Sequence, residues 1–91
     1  MSKTTVVFRK WKSGPGKGGI IALFPLIDER AGRCLSYEHI GQHGIADYND
    51  VIGMTDPAQP EEYVDLKMEL EQIGYRLRIA KRNSGKVKLE E

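Results

Sequence analysis

The hydrophobic and polar positions of this chain follow two periods, which predict several strands and then one main helix. β-Branched and aromatic side chains dominate Thr4–Trp11, and consecutive apolar side chains fill Gly19–Leu26. The first pattern is typical of a strand, and the second of a central strand covered on both faces. Pro25 has no amide donor, so regular pairing should stop near it. A third strand is predicted over Arg33–Ile40, and it should form a hairpin with the second because polar turn residues separate them.

The second half of the chain changes to a helical period. Pro60 suits the first turn of a helix, and the apolar stripe that follows ends before Gly74, where a left-handed cap is expected. A shorter helix is predicted over Ile45–Ile52, and Thr55–Pro60 should be a loop. Strict alternation over Tyr75–Ala80 then predicts a half-exposed final strand. The side chains of the main apolar stripe are Tyr63, Leu66, Met68, Leu70 and Ile73.

These elements predict an α+β fold in which three antiparallel strands form a meander and the main helix packs on one face. The final strand should run parallel beside the first, which gives the strand order 3-2-1-4. Residues 1–81 should form a single domain. Residues 82–91 lack apolar periodicity and should form a flexible tail.

The charges divide the chain into basic ends and an acidic middle. Met1–Phe24 carries five cations and no acid, Pro25–Tyr75 carries eleven acids against three cations, and Arg76–Glu91 carries six cations against two acids. If the first and last strands are neighbours, both basic ends meet, and the molecule has one basic and one acidic side.

Composition narrows the class of protein. Hydrophobic residues make up 40% of the 91 positions and charged residues 30%, a balance typical of a folded globular domain. No apolar run approaches the roughly 20 residues that span a bilayer, so we expect no membrane partner. The single cysteine cannot form an internal disulfide, and no signal-peptide pattern precedes the first strand. We therefore expect a cytoplasmic location.

Side chains that can titrate are concentrated in Ser36–Gly44, which holds both histidines, and Cys34 lies just upstream. No catalytic or cofactor motif covers this segment, so we expect no catalytic residue, no metal and no cofactor. A metal or small-molecule site is the alternative hypothesis, although its ligand spacing matches no standard zinc module. Cys34 and His39 would also point to opposite faces of a strand. The ligands of that alternative site would be Cys34, His39, His43 and Asp47.

A glycine-rich connection, Lys12–Gly19, follows the first strand. Its spacing fits neither a P-loop nor a dinucleotide-binding turn, and no helix follows it. The sequence favours a mobile hairpin tip, and the functional alternative is a basic finger that touches phosphate.

Three short motifs carry a resemblance: ALFP at residues 22–25, YxHxGQH at residues 37–43, and the helix end ELxxxGY at residues 69–75. Together they resemble a group of small bacterial and phage-associated proteins of unknown function, over about residues 5 to 80. The resemblance implies a small cytoplasmic α+β domain, and it carries no activity, substrate or catalytic residue.

The leading hypothesis is a non-enzymatic binding domain whose partner is a protein or a second copy of the chain. Its surface would be the sheet face opposite the main helix, where Val7, Arg9 and Trp11 should point and where Tyr37 and His39 should join them. Nucleic acid is the alternative partner, because arginines interleaved with aromatic side chains suit single strands. The predicted binding residues are Trp11, Tyr37, His39, Gln42, His43, Arg76 and Arg78.

Overall fold

The computed structural model describes residues 3–30, 33–38 and 42–80. Six strands and two helices lie in these ranges. In chain order they are β1 (Thr4–Trp11), β2 (Ile20–Arg30), β3 (Arg33–Glu38), β4 (Gln42–Asp47), α1 (Tyr48–Met54), β5 (Thr55–Pro57), α2 (Pro60–Ile73) and β6 (Leu77–Ile79). The predicted tail, residues 82–91, lies outside the described residues.

The strands form one sheet with the order β4-β3-β2-β1-β5, and β6 also pairs with β1. The first half of β1 pairs in parallel with β6, from Thr4 opposite Leu77 to Val6 opposite Ile79. The second half of β1 pairs antiparallel with β5, on the edge away from β2. The predicted order 3-2-1-4 is confirmed, since the predicted fourth strand is β6, and so is the α+β class.

Two strands were not predicted, and the predicted short helix begins too early. Ile45 lies in β4, which pairs with β3 from Glu38 opposite Gln42 to Arg33 opposite Asp47. The helix begins only at Tyr48, because the Asp47 carboxylate accepts the backbone N–H of Asp50 at 3.0 Å and caps it. The predicted loop after α1 contains β5.

The sheet is covered on both faces. On one face, which we call the α2 face, Val6, Phe8, Phe24 and other side chains pack against Leu66 and Leu70 of α2. On the opposite face, the α1 face, alternate residues of β1, β2 and β3 pack against Val51 of α1. The prediction that β2 is buried on both faces is therefore confirmed.

Helix α2 begins at Pro60 as predicted, and it ends at Gly74, which has φ 128°. The Gly74 N–H donates to the carbonyls of Leu70 and Glu71 at 3.2 and 3.1 Å. Tyr63, Leu66 and Leu70 contribute to the core as expected. Met68 and Ile73 do not complete the stripe, because they are 50% and 51% exposed.

Pro25 interrupts the pairing of β2 with β3 but does not end strand β2. Its register against β3 shifts between Phe24 and Asp28, so a bulge contains the proline, and pairing resumes as far as Arg30. Regular pairing does stop near Pro25 as predicted, but the predicted end of the strand at Leu26 is wrong.

Candidate functional site

Tyr37 lies on the α2 face, so the prediction that it joins Trp11 is wrong. It pairs with Ala22 of β2, a core residue of the α2 face, and residues paired across strands share a face. Its side chain is fully buried, and its hydroxyl donates to the Glu69 carboxylate of α2. Tyr37 therefore joins the sheet to the helix and does not form an open surface.

His43 lies beside Tyr37 at the rim of this core. The two residues pair across β3 and β4, and their rings meet edge to face at 4.6 Å between centroids. The exposed His43 lies 3.0 Å, Nε2 to hydroxyl, from Tyr75, whose ring stacks on Phe24 at 5.1 Å. His43 thus presents a polar ring at the boundary between the core and solvent.

The other two predicted residues of the Ser36–Gly44 segment are less informative. His39 lies outside the described residues. Gln42 begins β4 opposite Glu38, and its side chain is also outside the described part of the structure.

Trp11 lies on the α1 face as predicted, but its ring is not an open platform. Its Nε1–H donates to Glu38 Oε2 at 3.0 Å. The glycine-rich connection folds back on it: the N–H of Gly18 donates to the Trp11 carbonyl at 2.8 Å, and a Cβ placed on Gly16 would lie 3.6 Å from the ring. The connection therefore covers part of the surface that stacking would require.

Arg9 points to the α1 face as predicted, yet it is only 3% exposed. Its Nε donates to Thr55 Oγ1 at 2.9 Å, and one terminal nitrogen donates to the carbonyls of Ile52 and Thr55 at 3.2 and 2.8 Å. Burial lowers the pKa of the guanidinium, and the nearby Tyr48 and Asp56 oppose that shift. Arg9 stabilises the carboxyl end of α1, where cations and donors are favourable.

Lys10 faces the other way and pairs with Glu62 in the first turn of α2. Glu62 also accepts the backbone N–H of Gln59 at 2.8 Å. That backbone bond, with Lys10 second, holds the pKa of Glu62 below its usual value, and the hydrogen bond to Glu62 raises the pKa of Lys10. Two of the five N-terminal cations, Arg9 and Lys10, therefore make contacts within the fold.

Arg76 and Arg78 are exposed and lie beside the start of β1. The flanking Leu77 and Ile79 pack into the core of the α2 face, so Arg76 and Arg78 are not under α2. This position confirms that the first and last strands bring cations from both ends of the chain together.

The described residues of the proposed metal site do not come together. Cys34 is buried on the α1 face, whereas His43 contacts Tyr37 on the α2 face. Asp47 caps α1. Within the described ranges no group of three His, Cys, Asp or Glu side chains is arranged to hold a metal ion.

The sheet ends in two different kinds of edge. On one side, β5 and β6 have three residues each, β5 contains Pro57, and β6 carries Arg78. On the other side, β4 has six residues and β3 as its strand neighbour. Proline, lysine or arginine and short length commonly protect an edge strand, and the six residues of β4 include no proline, lysine or arginine. Among the described residues, no strand pairs with the outer edge of β4.

Ile45 is the apolar side chain at the centre of this second edge. It pairs with Leu35 and is 49% exposed. Its neighbour His43 lies on the same face of the strand. We call β4 with these two side chains the β4 edge. The only apolar side chains of Gln42–Asp47, Ile45 and Ala46, are consecutive, so no alternation marks this strand. The helical spacing of Ile45 and Ile52 favoured a helix instead.

Comparisons with known proteins supply no relative: no family model matches the chain, and neither does any curated protein or solved structure. The resemblance to small bacterial and phage-associated proteins stays a prediction. Within the described residues, neither helix has the length and apolar character needed to cross a bilayer.

Proposed function

We propose that this chain is a small protein-binding domain, acting in the cytoplasm, that takes an extended strand of its partner onto the β4 edge. The observation that carries the proposal is the contrast between the two sides of the sheet. The β5 and β6 side has short strands with a proline and an arginine, whereas β4 has six residues and no strand beyond it in the part of the chain that the structure describes. In strand addition the main chain supplies affinity through ladder hydrogen bonds, and alternate side chains supply specificity.

The β4 edge has the chemistry that such a partner needs. On the α2 face, Ile45 offers exposed apolar area and His43 offers a ring nitrogen beside Tyr75. On the other face, Gly44 has no side chain, and Ala46 packs against the core of the α1 face. A strand with an apolar side chain opposite Ile45 and a polar one opposite His43 would fit both positions.

Nucleic acid is supported less well, because the residues expected to stack are occupied. Tyr37 is buried, and Trp11 donates to Glu38 under the glycine-rich connection. Arg9 and Lys10 are engaged within the fold, as described above. Among the described residues, the exposed cations of the two basic ends of the chain lie at the two ends of β1, a strand about 26 Å long, so they do not form one compact patch. These cations are Lys3, Lys12, Lys17, Arg76 and Arg78.

Selection of peptides from a displayed random library against the purified protein tests the proposal. We expect selected peptides to shift the backbone amide resonances of β4 in ¹H–¹⁵N spectra. Ile45→Lys should weaken their binding by about tenfold or more, since a lysine blocks an edge strand.

Val64→Lys is the matched control, because Val64 is a similarly exposed apolar residue on α2. It should leave peptide binding unchanged. Peptides that bind tightly without shifting the β4 resonances, or that bind Ile45→Lys with unchanged affinity, would show that the binding surface lies elsewhere.

A further inference from the structure

We infer that the strand added to the β4 edge is β4 of a second copy of this chain, in a two-fold symmetric antiparallel pair. The inference rests on the proposed function, because it names the partner of the same edge. It follows from the geometry of strand pairing and from the order of side chains along Gln42–Asp47.

Symmetry limits how two copies of β4 can pair. A two-fold axis that relates adjacent antiparallel strands must be perpendicular to the sheet, so each face of one copy continues as the same face of the other. Residues directly opposite each other project to the same face. The axis must therefore pass beside a residue that pairs with itself, and at the middle of β4 this is Gly44 or Ile45.

The side chains favour the pair centred on Ile45. This register places Ile45 against Ile45 of the second copy, so two half-exposed apolar side chains bury each other. It also places the His43 ring opposite the Asp47 carboxylate of the second copy, once on each side of the axis. A carboxylate accepts several hydrogen bonds, so Asp47 can cap α1 and accept from an imidazole as well.

The pair centred on Gly44 lacks these contacts. It sets Gly44 against Gly44 and His43 against Ile45, so no polar group meets a partner and the two isoleucines are apart. In the Ile45-centred pair the two sheets become continuous, and both α2 helices lie on the same side. The exposure of Ile45 is then explained by a contact between copies.

Sedimentation equilibrium over a range of concentrations tests the association. We expect a reversible dimer for the wild-type chain. Ile45→Lys should shift the equilibrium to monomer, because two like charges would face each other across the axis. Val64→Lys should leave the dimer unchanged.

Single cysteines test the register. In a Cys34→Ala background, Ile45→Cys should form a disulfide-linked dimer on mild oxidation, because directly opposed residues bring their Cβ atoms within about 5 Å. Gly44→Cys and Val64→Cys should not. If Cys34→Ala unfolds the chain, contacts between copies in a mixture of ¹³C-labelled and unlabelled wild-type protein give the same information: Ile45 methyl groups should contact each other.

The outcomes separate the inference from the function on which it rests. A monomer at every concentration whose β4 still binds selected peptides would overturn the self-pairing and leave the binding function standing. Crosslinking through Gly44→Cys in place of Ile45→Cys would overturn the register. If Ile45→Lys leaves the dimer intact and the selected peptides also bind without contacting β4, both the self-pairing and the proposed binding function are wrong.

Discussion

Arg9 is the residue at which the sequence is most misleading. It lies among basic residues and suggests an exposed binding surface, yet its guanidinium binds Thr55 Oγ1 and the carbonyls of Ile52 and Thr55. Those acceptors are more than 40 positions away in the chain. Nothing in the local pattern reports them, so a buried arginine and an exposed one look alike in sequence.

We expect Arg9→Lys to lower the free energy of unfolding by about 1.5–3 kcal/mol, because an ammonium cannot reach three acceptors with the geometry of a guanidinium. Urea denaturation measures the change. Arg76→Lys, at an exposed position, is the control and should stay within about 0.5 kcal/mol of wild type. Equal effects of the two substitutions would contradict a capping role for Arg9.

The Lys10–Glu62 pair gives stability a dependence on pH. The lowered pKa of Glu62 means that its contribution is present above the ordinary glutamate value of about 4.3 and is lost as the pH falls through the lowered value. The raised pKa of Lys10 means that Lys10 contributes fully to stability at any pH below its ordinary value of about 10.4. At neutral pH both contributions are therefore complete.

Thermal melts of the wild-type protein and of Glu62→Gln between pH 7 and pH 2 test this dependence of stability on pH. The substitution should lower Tm at pH 7, and the difference from wild type should shrink as the pH falls. Glu61→Gln, one position earlier, serves as control. A difference that stays constant through the acid range would show that the charge of Glu62 contributes nothing.

At the scale of elements, the end of α2 depends on the backbone conformation of one residue. Gly74 has φ 128°, which side chains rarely adopt, whereas Gly53 in α1 does not require positive φ. A Cβ would contact nothing within 4 Å at either position, so backbone conformation alone decides the effect. We expect Gly74→Ala to destabilise the protein by about 1 kcal/mol and Gly53→Ala to stabilise it by about 0.5–1 kcal/mol.

Chemical denaturation of both variants measures the two signs. Two changes of the same sign would mean that something other than backbone conformation determines stability at one of these glycines.

The elements that sequence could predict are those with a complete local signal. Pro60 and Gly74 marked both ends of α2, and β1 and β2 had long β-branched or apolar runs. Strand β4 was not predicted because its one large apolar residue, Ile45, lies at helical spacing from Ile52, across the boundary at Asp47. Strand β5 has three residues, too few to show a period, and it exists because β1 offers an edge to pair with.

The positions of some residues of the candidate site could likewise be predicted from local sequence patterns, and the positions of others could not. That Arg76 and Arg78 lie on the side away from α2 followed from strict alternation in the final strand. The face of Tyr37 did not follow, because it depends on which β2 residue lies opposite, and the turn and bulge between the strands set that register. The β4 edge could not be found without β4 itself.

At the scale of the whole molecule, the separation of the exposed cations predicts weak binding to nucleic acid. The two ends of β1 are about 26 Å apart, more than twice the Debye length of about 8 Å at physiological salt, so they do not act as one charge. In fluorescence anisotropy with a single-stranded oligonucleotide at about 0.15 M salt, we expect no saturable binding. Saturable binding that falls steeply with salt, and that Arg76→Ala and Arg78→Ala weaken, would favour the nucleic-acid alternative.

The short, proline- and arginine-bearing strands beside β1 have a consequence for assembly. Joining two β4 strands leaves β5 and β6 at both outer limits of the combined sheet, so the described strands offer no second long edge to a third chain. Pairing through β4 therefore ends at two chains, and a fibre would require first the loss of those terminal strands.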